Sequence, residues 1–221
     1  KYLNLNYIDQ HYDQMAQEAA KEHLGHVDYL ARLTAGEAAA RYERSVQRRV
    51  KVACLPVVKT LDQFNWTWPT KINRIQVQDI FRLRFIEQKA NVVLVGGVGL
   101  GKTHLAIALA HTACMHDVPV LFASAVNIIN TLSAAQSANA LTKTLKQYLR
   151  PRLLVIDELG YLPMDKRGAD LLFQVISARY EHGSIVLTTN TVYKQWPKVF
   201  NNDATLASAV LDRLIHHCET V

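Results

Sequence analysis

The sequence predicts an α/β fold in which crossover helices connect the strands of a central parallel sheet, preceded by a small all-helical region. Two observations lead to this prediction. From Asn91 onward, short apolar runs alternate with stretches of helical character, as they do when parallel strands are buried on both faces of a sheet. Upstream of Asn91 the clearest periodicity is that of helices. The chain therefore divides into a helical part and an α/β part.

Four strands and four helices are predicted in the α/β part. Each apolar run is short enough for a strand, and a helical stretch follows it. The predicted strands are NVVLVG (91–96), PVLFAS (119–124), RLLVID (152–157) and SIVLTTN (184–190), and the predicted helices span 102–115, 126–149 with a break inside, 169–181 and 204–217.

The N-terminal part is predicted to contain two helices separated at Gly25. The first spans 8–24; the second begins at Thr34, because Thr34 and Glu37 have the T-x-x-E spacing of a capping box, and ends near Ala53. A segment with prolines and aromatic side chains follows, and then an amphipathic helix over 74–88. We therefore predict a helical domain over 1–54, a linker over 55–72 and an α/β domain over 73–221.

The composition is that of a globular protein. No apolar run approaches the roughly 18 to 20 residues that cross a bilayer, and the N-terminus has no export pattern. Cys54, Cys114 and Cys218 are odd in number and far apart, which argues against a disulfide framework or a zinc knuckle. We expect a cytoplasmic protein with no membrane partner. Its net charge of +6 is compatible with a polyanionic partner.

The most specific motif follows the first predicted strand. GGVGLGKT matches the phosphate-loop pattern GxxxxGK[ST] and runs into a predicted helix. Its glycines let backbone amides surround a phosphate, Lys102 is expected to reach the β- and γ-phosphates, and the Thr103 hydroxyl to bind Mg²⁺. The sequence therefore predicts a P-loop NTPase that binds ATP and Mg²⁺. The predicted nucleotide-binding residues are Gly96, Gly97, Val98, Gly99, Leu100, Gly101, Lys102, Thr103 and His104.

An acid pair ends the third predicted strand. Asp157 and Glu158 follow four apolar residues, which places their carboxylates at the carboxyl end of a buried strand. Beside a phosphate loop, Asp157 would hold Mg²⁺ through its water shell and Glu158 would be the general base for the attacking water. A helix N-cap is the competing interpretation. The position of the pair after a phosphate loop, with one strand between them, favours catalysis.

Two further polar residues are candidates for the same site. Asn190 ends the strand SIVLTTN, which we predict to lie between the two strands that carry the phosphate loop and the acid pair, so Asn190 could orient the lytic water. Arg213 lies on a helix that would point it away from its own site, toward a neighbouring subunit's nucleotide. The competing interpretations are a strand end for Asn190 and a salt bridge with Asp212 or Glu219 for Arg213.

Basic side chains cluster on three predicted helices and could contact DNA. They show no base-reading motif, so phosphate contacts with weak sequence preference are expected. A solvated helix face is the competing interpretation. The candidates are Arg41, Arg44, Arg48, Arg49 and Lys51, then Arg74, Arg82 and Arg84, and finally Lys143 and Lys146. His216 and His217 are adjacent and cannot share one helix face, which argues against a metal pair there.

Over nearly its whole length the chain resembles the IstB-like and DnaC-like branch of the AAA+ ATPases. The resemblance rests on GKTHLAIALAHTAC, LLVIDELGYLP, GADLLFQVISARYEHGS, VLTTN and LDRLIHH, and upstream on LARLTAGEAAARYERSVQRRVKVACLPVVKTLDQFNW, which is similar to the family's helical region and K-T-L-x-x-F linker. The loop departs from the pattern, since Gly97 stands where the family usually has proline. Backbone cradling does not require that proline.

The resemblance implies an AAA+ fold with a central parallel five-stranded sheet. It also implies that Lys102 and Thr103 are Walker A residues, Asp157 and Glu158 Walker B residues, Asn190 sensor 1, and Arg213 an arginine finger acting in trans. Little chain follows His217, so the small helical lid of many AAA+ proteins is expected to be absent from these residues.

The function implied by the resemblance is that of an ATP-dependent transposition helper. Such a protein would bind duplex DNA largely without sequence preference, form ATP-dependent homo-oligomers and recruit or stimulate a DDE transposase of the IstA kind. Two alternatives stay open: a DnaC-type helicase loader, which would prefer single-stranded DNA and a helicase, and a DNA-binding scaffold that holds ATP without hydrolysing it.

Overall fold

The computed structural model describes residues 3–221, so residues 1 and 2 of the predicted N-terminal domain lie outside the described residues. The chain forms two compact units, with the boundary between Arg48 and Arg49. The predicted domain limits at residues 54 and 72 remain predictions.

The first unit is built from helices α1 (Asn6–Lys21) and α2 (His26–Val52), the latter extending past the unit boundary. Because α2 already begins at His26, the predicted helix start at Thr34 is wrong. The Thr34 hydroxyl donates to the carbonyl oxygens of Leu30 (2.9 Å) and Ala31 (3.0 Å), as a threonine inside a helix does.

Glu37 caps the other helix. Its carboxylate accepts hydrogen bonds from the amides of Tyr7 (2.7 Å) and Ile8 (3.2 Å), which open α1 and have no partner within that helix. Arg41 (3.1 Å) and Arg44 (3.0 Å) pair with the same side chain. Burial raises the pKa of this carboxyl, but the Ile8 amide, Arg41, the Tyr7 amide and Arg44 together hold it below its ordinary value. Glu37 therefore serves as a cap, but across the unit rather than within α2.

The second unit is built around a parallel five-stranded sheet in the order β2-β3-β4-β1-β5. The α/β fold and all four predicted strands are confirmed, and β4 lies between β1 and β3 as predicted. The five-stranded sheet implied by the family resemblance is confirmed as well, although the residues of the fifth strand were not identified from sequence, because that strand is short and its central residue, Glu219, is charged. The strands are β1 Asn91–Val95, β2 Val120–Ser124, β3 Leu153–Leu159, β4 Ser184–Thr189 and β5 Cys218–Thr220.

Helices cover both faces of the sheet, and successive strand residues alternate between the two layers. Val92 and Leu94 of β1 pack with α5, whereas Val93 packs with α8 and α10 on the other face. The helices of this unit are α3 Arg74–Ile80, α4 Arg84–Glu87, α5 Lys102–Met115, α6 Ala125–Ser137, α7 Leu141–Leu149, α8 Lys166–Arg179, α9 Trp196–Val199 and α10 Ala204–Ile215.

Three helical details differ from the prediction. The predicted helix over 74–88 is interrupted, since Leu83 has a left-handed φ of +62° between α3 and α4. The predicted linker contains a short 3₁₀ helix, Leu61–Gln63, and α9 was not predicted. Within residues 3–221, we find no helix with the length and apolarity that a membrane span requires.

Asn91 stabilises the amino edge of the sheet, which is the edge at which the strands begin. Its side chain donates to the carbonyl of Leu214 (2.9 Å) and accepts from the amide of Ile185 (2.9 Å). Its own amide donates to the carbonyl of His217 (2.7 Å). The end of α10 is thereby held at the start of β1 and β4.

Arg179 reinforces the same edge from the end of α8. The side chain is 1% exposed, and burial lowers its pKa to about 10. It donates to four carbonyl oxygens, those of Tyr148, Pro151, Arg152 and Ser184, at 2.7 to 3.1 Å. The nucleotide-site residues predicted from sequence, apart from Arg213, lie at or near the opposite, carboxyl edge.

Candidate functional site

The phosphate loop joins β1 to α5, as predicted. Gly99 and Gly101 adopt left-handed φ values of +79° and +82°, which glycine adopts without strain. The amide of Gly96 donates to the carbonyl of Thr189 (3.2 Å), which ties the start of the loop to the end of β4. Gly97, Val98 and Gly99 at the tip of the loop are exposed. The loop therefore presents its backbone to solvent at the carboxyl edge.

Phe64 from the predicted linker covers the end of this loop. A Cβ atom on Gly101 would lie 2.6 Å from the Phe64 ring, so no larger residue fits there without moving Phe64. The ring meets that of His104 edge-on at 5.5 Å, and a His104 ring nitrogen lies 3.0 Å from the Thr60 carbonyl. Because His104 is bound to the linker, the structure gives it a packing contact; its predicted nucleotide contact remains untested.

Lys102 is the first residue of α5, and its side chain extends back to the phosphate loop. Its Nζ donates to the carbonyl of Gly97 at 2.7 Å. Burial lowers the pKa of the Lys102 ammonium, and attraction to Asp157 offsets part of this effect. The ammonium is thus placed over the exposed glycines, within the field of a carboxylate.

Asp157 is the centre of a buried hydrogen-bond network. The side chain is 6% exposed and lies near the end of β3. Its Oδ1 accepts from the hydroxyl of Thr103 (3.0 Å) and from that of Thr188. The predicted Walker A threonine and Walker B aspartate are therefore in direct contact. Both offer oxygen atoms, the ligands that Mg²⁺ prefers.

Glu158 directly follows Asp157 in sequence, but its environment is different. It is exposed, has a left-handed φ of +60°, and lies where the pairing of β3 with β4 shifts register between Ile156 and Leu159. Its amide donates to the hydroxyl of Thr188 (2.9 Å). The competing interpretation of the acid pair as a helix N-cap is wrong, because Asp165 caps α8 by accepting from the amide of Gly168 (2.8 Å).

Thr188 was missed as a site residue in the sequence analysis. Its hydroxyl donates to the Asp157 carboxylate and accepts from the Glu158 backbone amide, so one group contacts both residues of the acid pair. The polar end of SIVLTTN, in which Thr188 precedes Asn190, was the available signal. Asn190 itself is exposed directly after β4, and its side-chain oxygen accepts from the Thr191 hydroxyl (3.1 Å).

Replacing Thr188 with valine is expected to destabilise the protein by about 1 to 3 kcal/mol. The side chain is 1% exposed, and valine keeps its branched shape but leaves the Glu158 amide and Asp157 without the hydroxyl. Urea unfolding followed by circular dichroism measures the change. Thr188→Ser keeps the hydroxyl and is the matched control; equal losses in the two variants would contradict the role assigned to the hydrogen bonds.

Arg213 lies at the opposite edge of the sheet from the phosphate loop of its own chain. α10 ends beside Asn91, at the start of β1, whereas the loop follows the end of β1. The guanidinium donates to the carbonyl of Ala209 (2.9 Å) and lies over the ring of Phe173 at 4.9 Å. Among the ion pairs of residues 3–221, none joins Arg213 to Asp212 or Glu219. The competing salt-bridge interpretation therefore has no support.

A cavity of about 310 Å³ adjoins Lys102. It was not predicted, because its lining comes from segments far apart in sequence: the region before and within α3, the end of β1, the start of α5 and the last two residues of the chain. Trp66 packs against the core and does not line this cavity. The lining includes Pro69, Lys71, Ile72, Asn73, Gln76, Leu94, Val95, Leu100, Lys102, Leu105, Thr220 and Val221.

The basic residues predicted to bind DNA differ in whether their side chains have partners within the protein. Half of them have partners in the structure: Arg41 and Arg44 pair with Glu37, Arg49 with Asp117 (2.7 Å), and Arg82 with Asp79 (3.0 Å), while Arg74 lies over the ring of Trp66. The remaining candidates, Arg48, Lys51, Arg84, Lys143 and Lys146, are exposed. DNA contact remains a prediction for all ten.

Known proteins resemble this chain in both sequence and structure. One relative, from Pseudomonas aeruginosa, is named as an ATP-binding protein of insertion sequence IS21. It is 40% identical to this chain over 219 residues, and the match covers 99% of this chain and 82% of that protein. The similarly named protein of IS232 from Bacillus thuringiensis subsp. berliner is 38% identical over 221 residues, covering 100% of this chain and 88% of that protein.

Among solved structures, the DnaC helicase loader shares the fold with a TM-score of 0.57 and 21% identity, over 73% of this chain and 94% of that chain. The fold is thus that of the AAA+ P-loop proteins, as predicted. The sequence profile described as "IstB-like ATP binding protein" matches residues 1–221. The chain belongs to the family of IstB-like ATP binding proteins.

Proposed function

We propose that this protein binds and hydrolyses ATP and acts as a transposition helper on duplex DNA. The observation that carries the enzymatic part is the contact of Thr103 with Asp157, beside Lys102 and an exposed glycine loop. A phosphate-binding loop, a cation and a pair of oxygen ligands for Mg²⁺ are the parts that phosphoryl transfer requires.

The loop and the adjoining cavity have the chemistry to hold ATP. The backbone amides of the loop, which is exposed at Gly97 to Gly99, are suited to the β-phosphate, and Lys102 can exchange the Gly97 carbonyl for phosphate oxygens. The cavity beside Lys102 is lined by apolar side chains such as Ile72 and Leu94 and by the amides of Asn73 and Gln76. Such a lining suits a purine base.

Thr103 and Asp157 would hold Mg²⁺, which when bound would neutralise charge on the phosphates. Thr188 donates to the same oxygen of Asp157 as Thr103 does, so the carboxylate is oriented before any ligand arrives. Glu158 is exposed beside this buried pair and is the natural general base, while Asn190 at the end of the neighbouring strand would orient the water.

Hydrolysis would be completed by a second copy of the chain. Arg213 lies at the amino edge, away from its own loop, so it can reach a phosphate only in another subunit. This arrangement supports an ATP-dependent homo-oligomer in which each interface joins the carboxyl edge of one subunit to the amino edge of the next.

The transposition role rests on family membership and on the basic surface. Relatives that cover this chain almost completely are named as proteins of insertion sequences. A DDE transposase of the IstA kind is the partner that this context supports. Five of the ten predicted DNA-binding residues, Arg48, Lys51, Arg84, Lys143 and Lys146, are exposed and available for phosphate contacts. Of these, Lys143 and Lys146 lie one turn apart on α7.

Removing two of these cations tests the DNA surface. The Lys143→Ala/Lys146→Ala variant is expected to weaken ATP-dependent binding to duplex DNA and to reduce the slope of log affinity against log salt by about 0.9 per lost phosphate contact. Fluorescence anisotropy across a salt series measures both. Lys194→Ala/Lys198→Ala is the control, since it removes the same charge from exposed positions elsewhere. Equal slopes in the two variants would remove α7 from the DNA surface.

A preference for duplex or for single-stranded DNA distinguishes a transposition helper from a helicase loader. A helper should assemble with ATP on duplex DNA and increase the activity of a transposase of the IstA kind. Preferential assembly on single-stranded DNA, with no effect on that transposase, would instead favour the loader.

A further inference from the structure

Glu181, His216 and His217 lie together at the amino edge of the sheet, opposite the phosphate loop of their own chain. All three side chains are exposed, each offers a ligand atom, and these atoms lie within 4.8 Å of one another. We propose that they bind a divalent transition-metal cation, with zinc as the best fit, and that the metal fastens the turn after α8 to the turn after α10.

The objection from sequence, that adjacent histidines cannot share a helix face, does not hold in the structure. α10 ends at Ile215, and both histidines follow it in a turn. His216 keeps helical φ and ψ values of −55° and −43°, and its amide still donates to the carbonyl of Asp212 (3.2 Å). His217 departs from the helix, so the separation of about 100° between successive helical side chains does not apply to the pair. The two rings have centroids 4.2 Å apart with planes inclined at 54°, so both can face one point.

The backbone on both sides of the cluster is held by buried groups. Asn91 binds the carbonyls of Leu214 and His217, which fixes the turn that carries the histidines. The carbonyl of Arg179 accepts from the amides of His182 (2.9 Å) and Gly183 (3.0 Å), which fixes the turn that carries Glu181. A metal would therefore join two turns that are already in place, which lowers the ordering cost of binding.

His216 also has the second contact that metal-binding histidines make. The hydroxyl of Tyr180 lies 2.8 Å from its Nδ1, which occupies one ring nitrogen and leaves the other for a ligand. In metal sites such a contact fixes the orientation of the ring.

The ligand set selects the kind of metal. Two imidazoles and one carboxylate are typical zinc ligands and leave a fourth position for water or for a group from a partner. Lys89 and Arg213 line a small cavity together with Glu181 and His217, and a single carboxylate faces this positive charge. Mg²⁺ and Ca²⁺, which require several oxygen ligands, are therefore disfavoured. Zinc would require the exposed side chains to close by roughly 1 Å, given metal–ligand distances of about 2.1 Å.

Calorimetric titration of Zn²⁺ into the full chain, prepared without a histidine tag and without nucleotide, tests the proposal. The wild type should bind Zn²⁺, and both His216→Ala/His217→Ala and Glu181→Gln should weaken this binding by at least about tenfold. His182→Ala is the matched control, because this exposed neighbour uses its Nδ1 on the Tyr180 carbonyl (2.8 Å) and is not in the cluster. Co²⁺ absorption bands in the visible range, present in the wild type and lost in the double variant, would identify imidazole ligation.

The proposal is overturned if the wild type does not bind Zn²⁺ or if Glu181→Gln binds it as tightly as the wild type does. Glu181→Gln decides the matter if the double variant fails to fold, because a change of one exposed carboxylate leaves the packing intact. Since the titration contains no ATP, its outcome is independent of the proposed ATPase function.

Discussion

Replacing Arg213 with alanine is expected to lower the rate of ATP hydrolysis by about 10³- to 10⁵-fold, while ATP affinity stays nearly unchanged. An arginine supplied to the phosphates stabilises charge that develops in the transition state, so its loss affects turnover more than binding. The steady-state rate, together with equilibrium binding of a fluorescent ATP analogue, separates the two quantities. Thermal unfolding of the variant controls for loss of the contact with Phe173.

Mixing two inactive variants tests whether Arg213 acts in trans. Arg213→Ala retains Lys102, and Lys102→Ala retains Arg213, so an interface between one subunit of each kind can be complete. In a random equal mixture about one interface in four should have both groups, and a corresponding share of the wild-type rate should return. If mixed oligomers form and no activity returns, Arg213 does not complete a neighbour's site.

Glu158→Gln is expected to lower the turnover number by about 10²- to 10⁴-fold, the usual contribution of a general base. Glutamine keeps the size of the side chain, and the backbone amide that binds Thr188 is unaffected. The variant should therefore still bind ATP and assemble. Single-turnover hydrolysis of radiolabelled ATP measures the chemical step directly.

Glu87→Gln is the control for Glu158→Gln, because it removes an exposed carboxylate from α4 without touching the ATP site. A wild-type rate that is already negligible and unchanged by Glu158→Gln, with ATP-dependent assembly intact, would favour the non-hydrolysing scaffold. A clear loss specific to Glu158 supports the enzyme.

Local patterns were enough to predict four of the five strands, the longer helices of the α/β part and the phosphate loop. The loop is contiguous, and its glycines are required by its own backbone, as the φ values of Gly99 and Gly101 show. The strands were found because burial on both faces makes them apolar throughout. By contrast, the predicted helix start at Thr34 was wrong. A capping pattern does not identify the helix whose end it caps, and Glu37 caps α1, although it lies within α2.

Contacts between distant segments could not be read from these patterns. Thr188 meets Asp157 only because β4 lies beside β3, and the cavity beside Lys102 is lined by segments from Pro69 to the end of the chain. The packing of Phe64 on Gly101 likewise joins the predicted linker to the loop.

The sequence by itself determined that this protein has a parallel α/β sheet with a phosphate loop at a strand end, because strand burial and loop conformation are properties of neighbouring residues. Only the tertiary structure decided that Thr188 binds both the Asp157 carboxylate and the Glu158 amide, that Phe64 packs on Gly101, and that Glu181 meets His216 and His217. These juxtapositions depend on strand order and on how each helix returns to the sheet, and they join residues that no local periodicity relates.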